Sequence, residues 1–221
     1  MAIKKNDFVT IEYTGSLKEN GQIFDTTNET IAKKVSIYNP KMKYGPMTIC
    51  VGQNQILKAI DEAVIGKEEN NSFSLDLTAE KAFGKKNAKM VRLVPSSIFT
   101  KQKIMPFVGL EVQIDQMPGI VRSVSGGRIL VDFNHPLSGR DIKYEIKINK
   151  QVTDSKEKLK AYMQMTLGVV DPKITIIGDK AEIEMAIPAQ ISKALADKLV
   201  EVVPELKTIE FISKKSSDKK A

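Results

Sequence analysis

The sequence has almost none of the cysteine and histidine residues that build disulfides, redox sites and zinc-type metal centres. Among 221 residues there are one cysteine, Cys50, one histidine, His135, and no tryptophan. A single cysteine excludes an internal disulfide, and without a Cys/His cluster we expect no metal and no cofactor. The free cysteine fits the reducing cytoplasm, where disulfides are rare. Cys50 lies in an apolar run and is expected to be a small, buried hydrophobic side chain.

Long apolar runs are also missing. No segment approaches the roughly 20 apolar residues of a membrane span, and no apolar stretch of the signal-peptide type follows Lys4 and Lys5. We therefore expect a cytoplasmic protein without membrane contact. Arginine is scarce, at four residues, although the net charge is +7. This charge indicates mild attraction to polyanions, and a solvated surface is favoured over nucleic-acid binding.

The first part of the chain alternates between short strand patterns and turns. Asn20-Gly21 predicts a hairpin turn, because both residues readily adopt positive φ. Gly15 is expected to end the strand before it, and Glu29 to Lys34 suggests a short helix. Strands are predicted from runs of alternating or β-branched residues at 8–14, 22–26, 47–51, 71–77 and 141–149.

One helix is predicted at residues 56–65, directly after the third of these strands. Ile56, Ile60 and Val64 recur every four residues, which gives the helix one apolar face. Gly66 stands where a left-handed C-terminal cap falls. The neighbouring Asp61-Glu62 pair is interpreted as part of a solvated face.

Residues 86–133 differ in character from the chain around them. The block holds seven basic and three acidic residues together with many large apolar side chains. A block of this size buries only a small fraction of its surface, so some of those side chains are expected to stay exposed. Strong alternation resumes at 142–148, and that strand needs the sheet formed before residue 85. The block is therefore predicted to be an insertion within one domain.

After residue 150 the patterns follow in the order α-β-β-α-β, which is typical of a small two-layer domain. Asp154 and Glu157 form a capping-box-like start for its first helix. The domain is predicted to span 154–213, followed by a disordered, lysine-rich tail at 214–221. Its amphipathic helices predict either a homodimer contact or additional client-binding surface.

Several short motifs then follow one another in a recognisable order: Tyr13-Thr14-Gly15, Phe24-Asp25, Val51-Gly52-Gln53 with Ile56-Leu57, and Ala82-Phe83-Gly84. In this order and spacing the chain resembles the FKBP-type peptidyl-prolyl cis-trans isomerases. The 86–133 block, followed by Asn134-His135-Pro136-Leu137-Ser138-Gly139, resembles the insert-in-flap chaperone domain of the long, SlyD-like branch. The domain after residue 150 resembles the long archaeal members.

The resemblance implies an α+β fold: an antiparallel half-barrel sheet wrapped on a short helix, a small β-rich insert domain and a C-terminal α/β sandwich. The isomerase domain would comprise 1–85 and 134–150, and the insert 86–133. The implied catalytic residues are Tyr13, Phe24, Asp25, Ile56, Leu57, Ile60, Phe83 and Tyr144. The implied substrate-binding residues are Met47 in the pocket and Met105, Phe107, Val108 and Met117 in the insert.

The implied activity is isomerisation of X–Pro bonds during folding, with the insert holding unfolded or nascent proline-containing chains. A rival interpretation is a holdase that recognises proline without useful catalysis. Phe83 favours it slightly, because the family usually has tyrosine there. A third is a ribosome- or RNA-associated factor that uses the basic insert and the lysine tail. Without the resemblance, Phe24, Ile60 and Tyr144 would be interpreted as ordinary core residues.

Overall fold

The computed structural model describes residues 1–212, and the predicted tail at 214–221 lies outside these residues. The strands are β1 (Phe8–Leu17), β2 (Ile23–Thr26), β3 (Met47–Cys50), β4 (Ser72–Leu77), β5 (Val91–Pro95), β6 (Glu111–Ile114), β7 (Met117–Ser125), β8 (Arg128–Asp132), β9 (Ile142–Val152), β10 (Ile174–Ile177), β11 (Lys180–Glu184) and β12 (Thr208–Ile212). The helices are α1 (Glu29–Lys34), α2 (Lys58–Val64), α3 (Ser96–Lys101), α4 (Ser155–Leu167) and α5 (Ala189–Val202). None of the helices in this part of the chain has the length and apolar character needed to cross a membrane.

The described residues form two compact units, one made of 1–76 with 143–212 and the other of 77–142. The first unit contains a five-stranded sheet in the order β2-β1-β9-β4, with β3 also paired to β1, and a three-stranded sheet in the order β10-β11-β12. The second contains an antiparallel sheet in the order β5-β8-β7-β6. The predicted mixed fold class, with antiparallel sheets and few helices, is confirmed.

The long strand β1 organises the first sheet. It pairs antiparallel with β3 from Phe8 to Ile11 and with β2 from Thr14 onward. The strand continues through Gly15 to Leu17, so the prediction that it ends at Gly15 is wrong. On β9 every second residue from Ile142 to Ile148 is buried, as the alternating pattern predicts.

Helix α2 is shorter than its sequence pattern predicts. It begins at Lys58, because Leu57 has an extended backbone, with φ −53° and ψ 123°. Ile56 and Leu57 therefore precede the helix, while Ile60 and Val64 are buried on it. Gly66 adopts a φ of +80° just after the helix end, where the left-handed residue was expected.

The α-β-β-α-β order after residue 150 is confirmed. Asp154 caps α4 by accepting a hydrogen bond from the Glu157 N–H at 2.8 Å, and α4 ends at Gly168 with a φ of +68°. Strands β11 and β12 are parallel, with α5 as the connection between them. The core of this region is not separate from the first sheet, since it includes Phe8 and Cys50, both fully buried.

The second unit has its own apolar core. Val121, Ile129 and Val131 are fully buried on β7 and β8, and Phe99 is buried on α3. The helix α3 was not predicted. With six residues, α3 is too short for its apolar side chains to show helical periodicity. The helix starts directly after Pro95, which has an extended backbone.

Candidate functional site

A β-bulge places two consecutive residues of β2 at one site. Thr14 pairs with Thr26 and Gly15 with Asp25, but Ser16 pairs with Ile23, so Phe24 is the extra residue. In a regular strand Phe24 and Asp25 would point to opposite faces. A bulge bends the strand and redirects a side chain. As a result the Phe24 ring and the Asp25 carboxylate lie in the same cluster of side chains.

Three aromatic rings form the centre of this cluster. Tyr144 of β9 contacts Tyr13 of β1 edge-on, with 5.7 Å between ring centroids and 73° between planes. It contacts Phe24 in the same way, at 5.8 Å and 88°. Edge-to-face contacts of this kind are favourable, because the positive ring edge meets the negative ring face. Tyr144 is buried, whereas Tyr13 and Phe24 are half-buried, so the cluster has a closed base and an accessible side.

Gly15 lets these rings approach the backbone of β1. A Cβ atom on Gly15 would lie 2.7 Å from Cε1 of Tyr144 and 2.8 Å from Cζ of Phe24. Carbon atoms in van der Waals contact are about 3.5–4.0 Å apart. Any side chain at this position would therefore displace both rings. Glycine inside a strand often marks a site where another group approaches the backbone closely. Gly15 was therefore the one sequence feature that could have indicated this ring packing.

Asp25 supplies the one carboxylate of the cluster. Burial raises the pKa of Asp25, while the hydrogen bonds it accepts from the Tyr13 hydroxyl and the Thr26 backbone oppose that rise. Burial, and secondly the charge of Asp25, raise the pKa of Tyr13 well above its usual range. Tyr13 therefore keeps its proton at neutral pH and serves as a donor to Asp25.

The backbone of Tyr13 is held by Thr27. The Tyr13 N–H donates to the Thr27 hydroxyl at 3.0 Å, and the Thr27 N–H donates to the Tyr13 carbonyl at 3.0 Å. Sequence reasoning missed Thr27, because its role depends on the β1–β2 register. The pair fixes the strand position from which the Tyr13 ring projects.

Asp61 holds the loop that leads to the predicted pocket floor. Its two carboxylate oxygens accept hydrogen bonds from the N–H groups of Gly52, at 2.8 Å, and Asn54, at 2.9 Å. Only 2% of Asp61 is exposed, so its assignment to a solvated face is wrong. The carboxylate replaces the water that these two loop N–H groups would otherwise bind, which fixes the loop ahead of Ile56 and Leu57.

The remaining predicted pocket residues of the first unit lie on β3, on α2 and before it. Ile56 and Leu57 are half-buried, whereas Ile60 is 2% exposed. Met47 pairs with Ile11 across β1 and β3. Because side chains alternate along β1, Ile11 and Met47 share the sheet face of Tyr13.

Phe83 and the predicted insert residues belong to the second unit, and their pocket or client roles stay predictions. The Phe83 ring stacks on His135, with 4.6 Å between centroids and 4° between planes. Met105, Phe107 and Val108 are 88%, 60% and 65% exposed. Met117 is instead partly buried against the core of this unit. Within residues 1–212 no group of three His, Cys, Asp or Glu side chains is arranged to hold a metal ion.

Comparison with known proteins shows which family this chain is similar to. A model of the FKBP-type peptidyl-prolyl cis-trans isomerases matches residues 1–100, and a model of the FKBP26 IF domain matches residues 92–137. The short-type peptidyl-prolyl cis-trans isomerase of Methanocaldococcus jannaschii is 30% identical over 146 residues, which are 66% of this chain and 92% of that protein.

Two further relatives come from bacteria and match about the same share of this chain. A probable FKBP-type 16 kDa peptidyl-prolyl cis-trans isomerase of Pseudomonas fluorescens is 28% identical over 66% of this chain and 89% of that protein. The SlyD isomerase of Aeromonas hydrophila is 26% identical over 67% of this chain and 64% of its own length. The shared class is the peptidyl-prolyl cis-trans isomerases. The chain belongs to the FKBP-type family of these enzymes.

Proposed function

We propose that the cluster of Tyr13, Phe24, Asp25 and Tyr144 is the catalytic pocket of a prolyl isomerase that acts on folding polypeptides. The observation that carries the proposal is the pocket itself: edge-packed aromatic rings around one half-buried carboxylate that accepts a hydrogen bond from the protonated Tyr13. Ile56, Leu57, Ile60 and Met47 supply further apolar wall.

The reaction needs neither a nucleophile nor a metal, because no covalent bond is broken. Rotation about an X–Pro bond faces a barrier of about 20 kcal/mol and takes tens of seconds or longer without catalysis. The planar amide carries charge on its oxygen through resonance, and the twisted amide carries less. An apolar pocket therefore disfavours the planar form more than the twisted form, which lowers the barrier when the pocket also fits the twisted shape.

The polar groups of the pocket have a positioning role in this mechanism. Asp25 accepts a hydrogen bond from the Tyr13 hydroxyl, and this bond orients the Tyr13 ring in its edge-to-face contact with Tyr144. The backbone N–H of Leu57, just before α2, is the proposed donor to a substrate carbonyl. These contacts hold the proline in an orientation that favours twisting of its amide bond. Enclosing the proline in an apolar pocket would not by itself provide this orientation.

A protease-free peptide isomerisation assay tests the catalytic proposal. Asp25→Ala and Tyr13→Phe are expected to lower kcat/KM, whereas Tyr44→Phe removes a tyrosine hydroxyl from the loop before β3 and is expected to leave it unchanged. Unchanged rates in both pocket variants would refute the assignment. Tight peptide binding without acceleration in the wild-type chain would instead support a holdase that recognises proline.

We propose in addition that the insert holds unfolded chains. Its support is the exposed apolar surface of Met105, Phe107 and Val108, and a mostly apolar groove of about 420 Å³ along β6, β7 and residues 133–136. Methionine adapts to varied shapes, and exposed apolar patches mark binding surfaces. Because the insert and the pocket belong to one chain, a captured client has a raised effective concentration at the pocket.

The insert can be removed at a defined point. The Asn87 N–H donates to the Asn134 side chain at 2.8 Å, and the Asn134 side-chain amide donates to the Asn87 carbonyl at 3.1 Å. A short Gly-Ser link can therefore replace residues 88–133. We expect this variant to retain turnover of short peptides and to lose acceleration of unfolded-protein refolding. Equal losses on both substrates would contradict the division of labour.

A further inference from the structure

The insert presents its exposed apolar residues on a segment that is fixed at both ends. The Ile104 N–H donates to the carbonyl of the buried Phe99 at 2.9 Å, and the Gly109 N–H donates to the Val121 carbonyl at 2.8 Å. Between these anchors Met105 and Phe107 project into solvent. We call residues 104–108 the client segment. Because both ends are pinned, its apolar side chains stay available rather than folding back onto the core.

Cationic side chains stand at the start of the client segment. Lys101 ends α3 and Lys103 directly precedes Ile104, and both lysines are exposed. Lys103 adopts a φ of +56°, at the turn from which the segment leaves α3. Among the described residues neither lysine forms an ion pair with a carboxylate.

Positive charge is in excess around the client segment, although Lys85 pairs with Glu80 and the exposed Glu111 follows the segment. From residue 81 to residue 110 there are seven lysines and arginines and no aspartate or glutamate. The one buried carboxylate of the insert, Asp132, is already paired with Arg122 and with Lys86. Asp132 is 5% exposed, so it contributes little to the surface.

We propose that the client segment selects unfolded chains in which apolar residues are flanked by carboxylates. The apolar side chains bind the apolar part of the client, and Lys101 and Lys103 pair with acidic residues next to it. Charge complementarity at the edge of an interface sets selectivity and association rate more than total affinity. The inference rests on the proposed holding function of the insert and adds the chemical class of the client.

Fluorescence anisotropy with the full chain tests this selectivity. The probes are two labelled peptides with the same apolar centre, one flanked by glutamates and one by lysines. Two exposed charge pairs predict roughly twofold to thirtyfold tighter binding of the glutamate peptide at low salt. The difference is expected to shrink as salt shortens the screening length.

Charge reversal identifies the lysines responsible. Lys101→Glu with Lys103→Glu is expected to reverse the preference. The matched control is Lys41→Glu with Lys43→Glu, which has the same spacing and charge change on an exposed loop of the first unit, and it should retain the preference. Met105→Ser with Phe107→Ser, both at exposed positions, should weaken binding of both peptides.

The outcomes separate the two levels of the proposal. If neither peptide binds the wild-type chain, both the holding function and the inference fail. If both bind equally, or if the control pair acts like Lys101 and Lys103, only the selectivity fails. Tighter binding of an oligo-uridine strand than of the glutamate peptide, lost on reversal of Lys101 and Lys103, would overturn the assignment to acidic clients in favour of RNA.

Discussion

Substitution of Gly15 by alanine tests the pocket geometry with a single methyl group. That methyl carbon would lie 2.7 Å from Cε1 of Tyr144 and 2.8 Å from Cζ of Phe24. To restore ordinary contact the rings must move by about 1 Å. Overpacking of this size costs about 1–3 kcal/mol. If the strain falls on the bound transition state, kcat/KM drops by roughly 5-fold to 150-fold, at 1.36 kcal/mol per factor of ten.

Gly119→Ala is the matched control. A Cβ atom on Gly119 would lie 2.7 Å from Cγ1 of Val131 and 2.8 Å from Cδ1 of Phe133, inside the second unit. Its steric conflict is nearly the same as that at Gly15, but it involves no pocket residue. In the peptide isomerisation assay Gly119→Ala should retain the wild-type kcat/KM. A Gly15→Ala enzyme within about twofold of wild type would show that the Phe24 and Tyr144 positions do not govern catalysis.

Three further predictions concern the first unit. Asp25→Asn should raise the free energy of unfolding at pH 7. Burial raises the pKa of Asp25 in the folded protein, so at a pH above that pKa the charged carboxylate destabilises the fold, and asparagine removes this charge. This gain should vanish as the pH falls toward the unfolded value of about 3.9, and a pH-independent gain in urea titrations would contradict it. Burial raises the pKa of the Cys50 thiol to about 12, so a disulfide reagent at pH 8 should react only after denaturation. Phe8→Ala should cost about 3–5 kcal/mol, because Phe8 is fully buried against the C-terminal region. Thermal unfolding measures that cost, and a wild-type melting temperature would contradict the shared core.

Local patterns were sufficient to predict much of the fold. Alternating apolar residues located β9, Asn20-Gly21 located the β1–β2 hairpin, and Asp154 located the start of α4. Each of these features depends on residues close together in sequence. The resemblance to a known family supplied the candidate pocket, since Tyr13 and Tyr144 are far apart in the chain and no local pattern joins them.

The features that were missed depend on pairing and packing between elements. The bulge at Phe24 follows from the register between two strands, which the β2 sequence does not specify. By its position in the helical pattern Asp61 is expected on the exposed face of α2. It is buried because its carboxylate accepts a hydrogen bond from the Gly52 N–H in the preceding loop. Phe8 and Cys50 look like residues of one sheet, yet α4 and its neighbours cover their outer face.

Refolding of a protein limited by proline isomerisation tests the central claim most directly. With catalytic amounts of the full chain, the slow phase should accelerate in proportion to chain concentration. The acceleration should be lost when Asp25→Ala and Tyr13→Phe are combined and retained in Tyr44→Phe. A slow phase that is unchanged at every concentration of the wild-type chain, or equally accelerated by the Asp25→Ala, Tyr13→Phe variant, would contradict the claim that this pocket catalyses prolyl isomerisation.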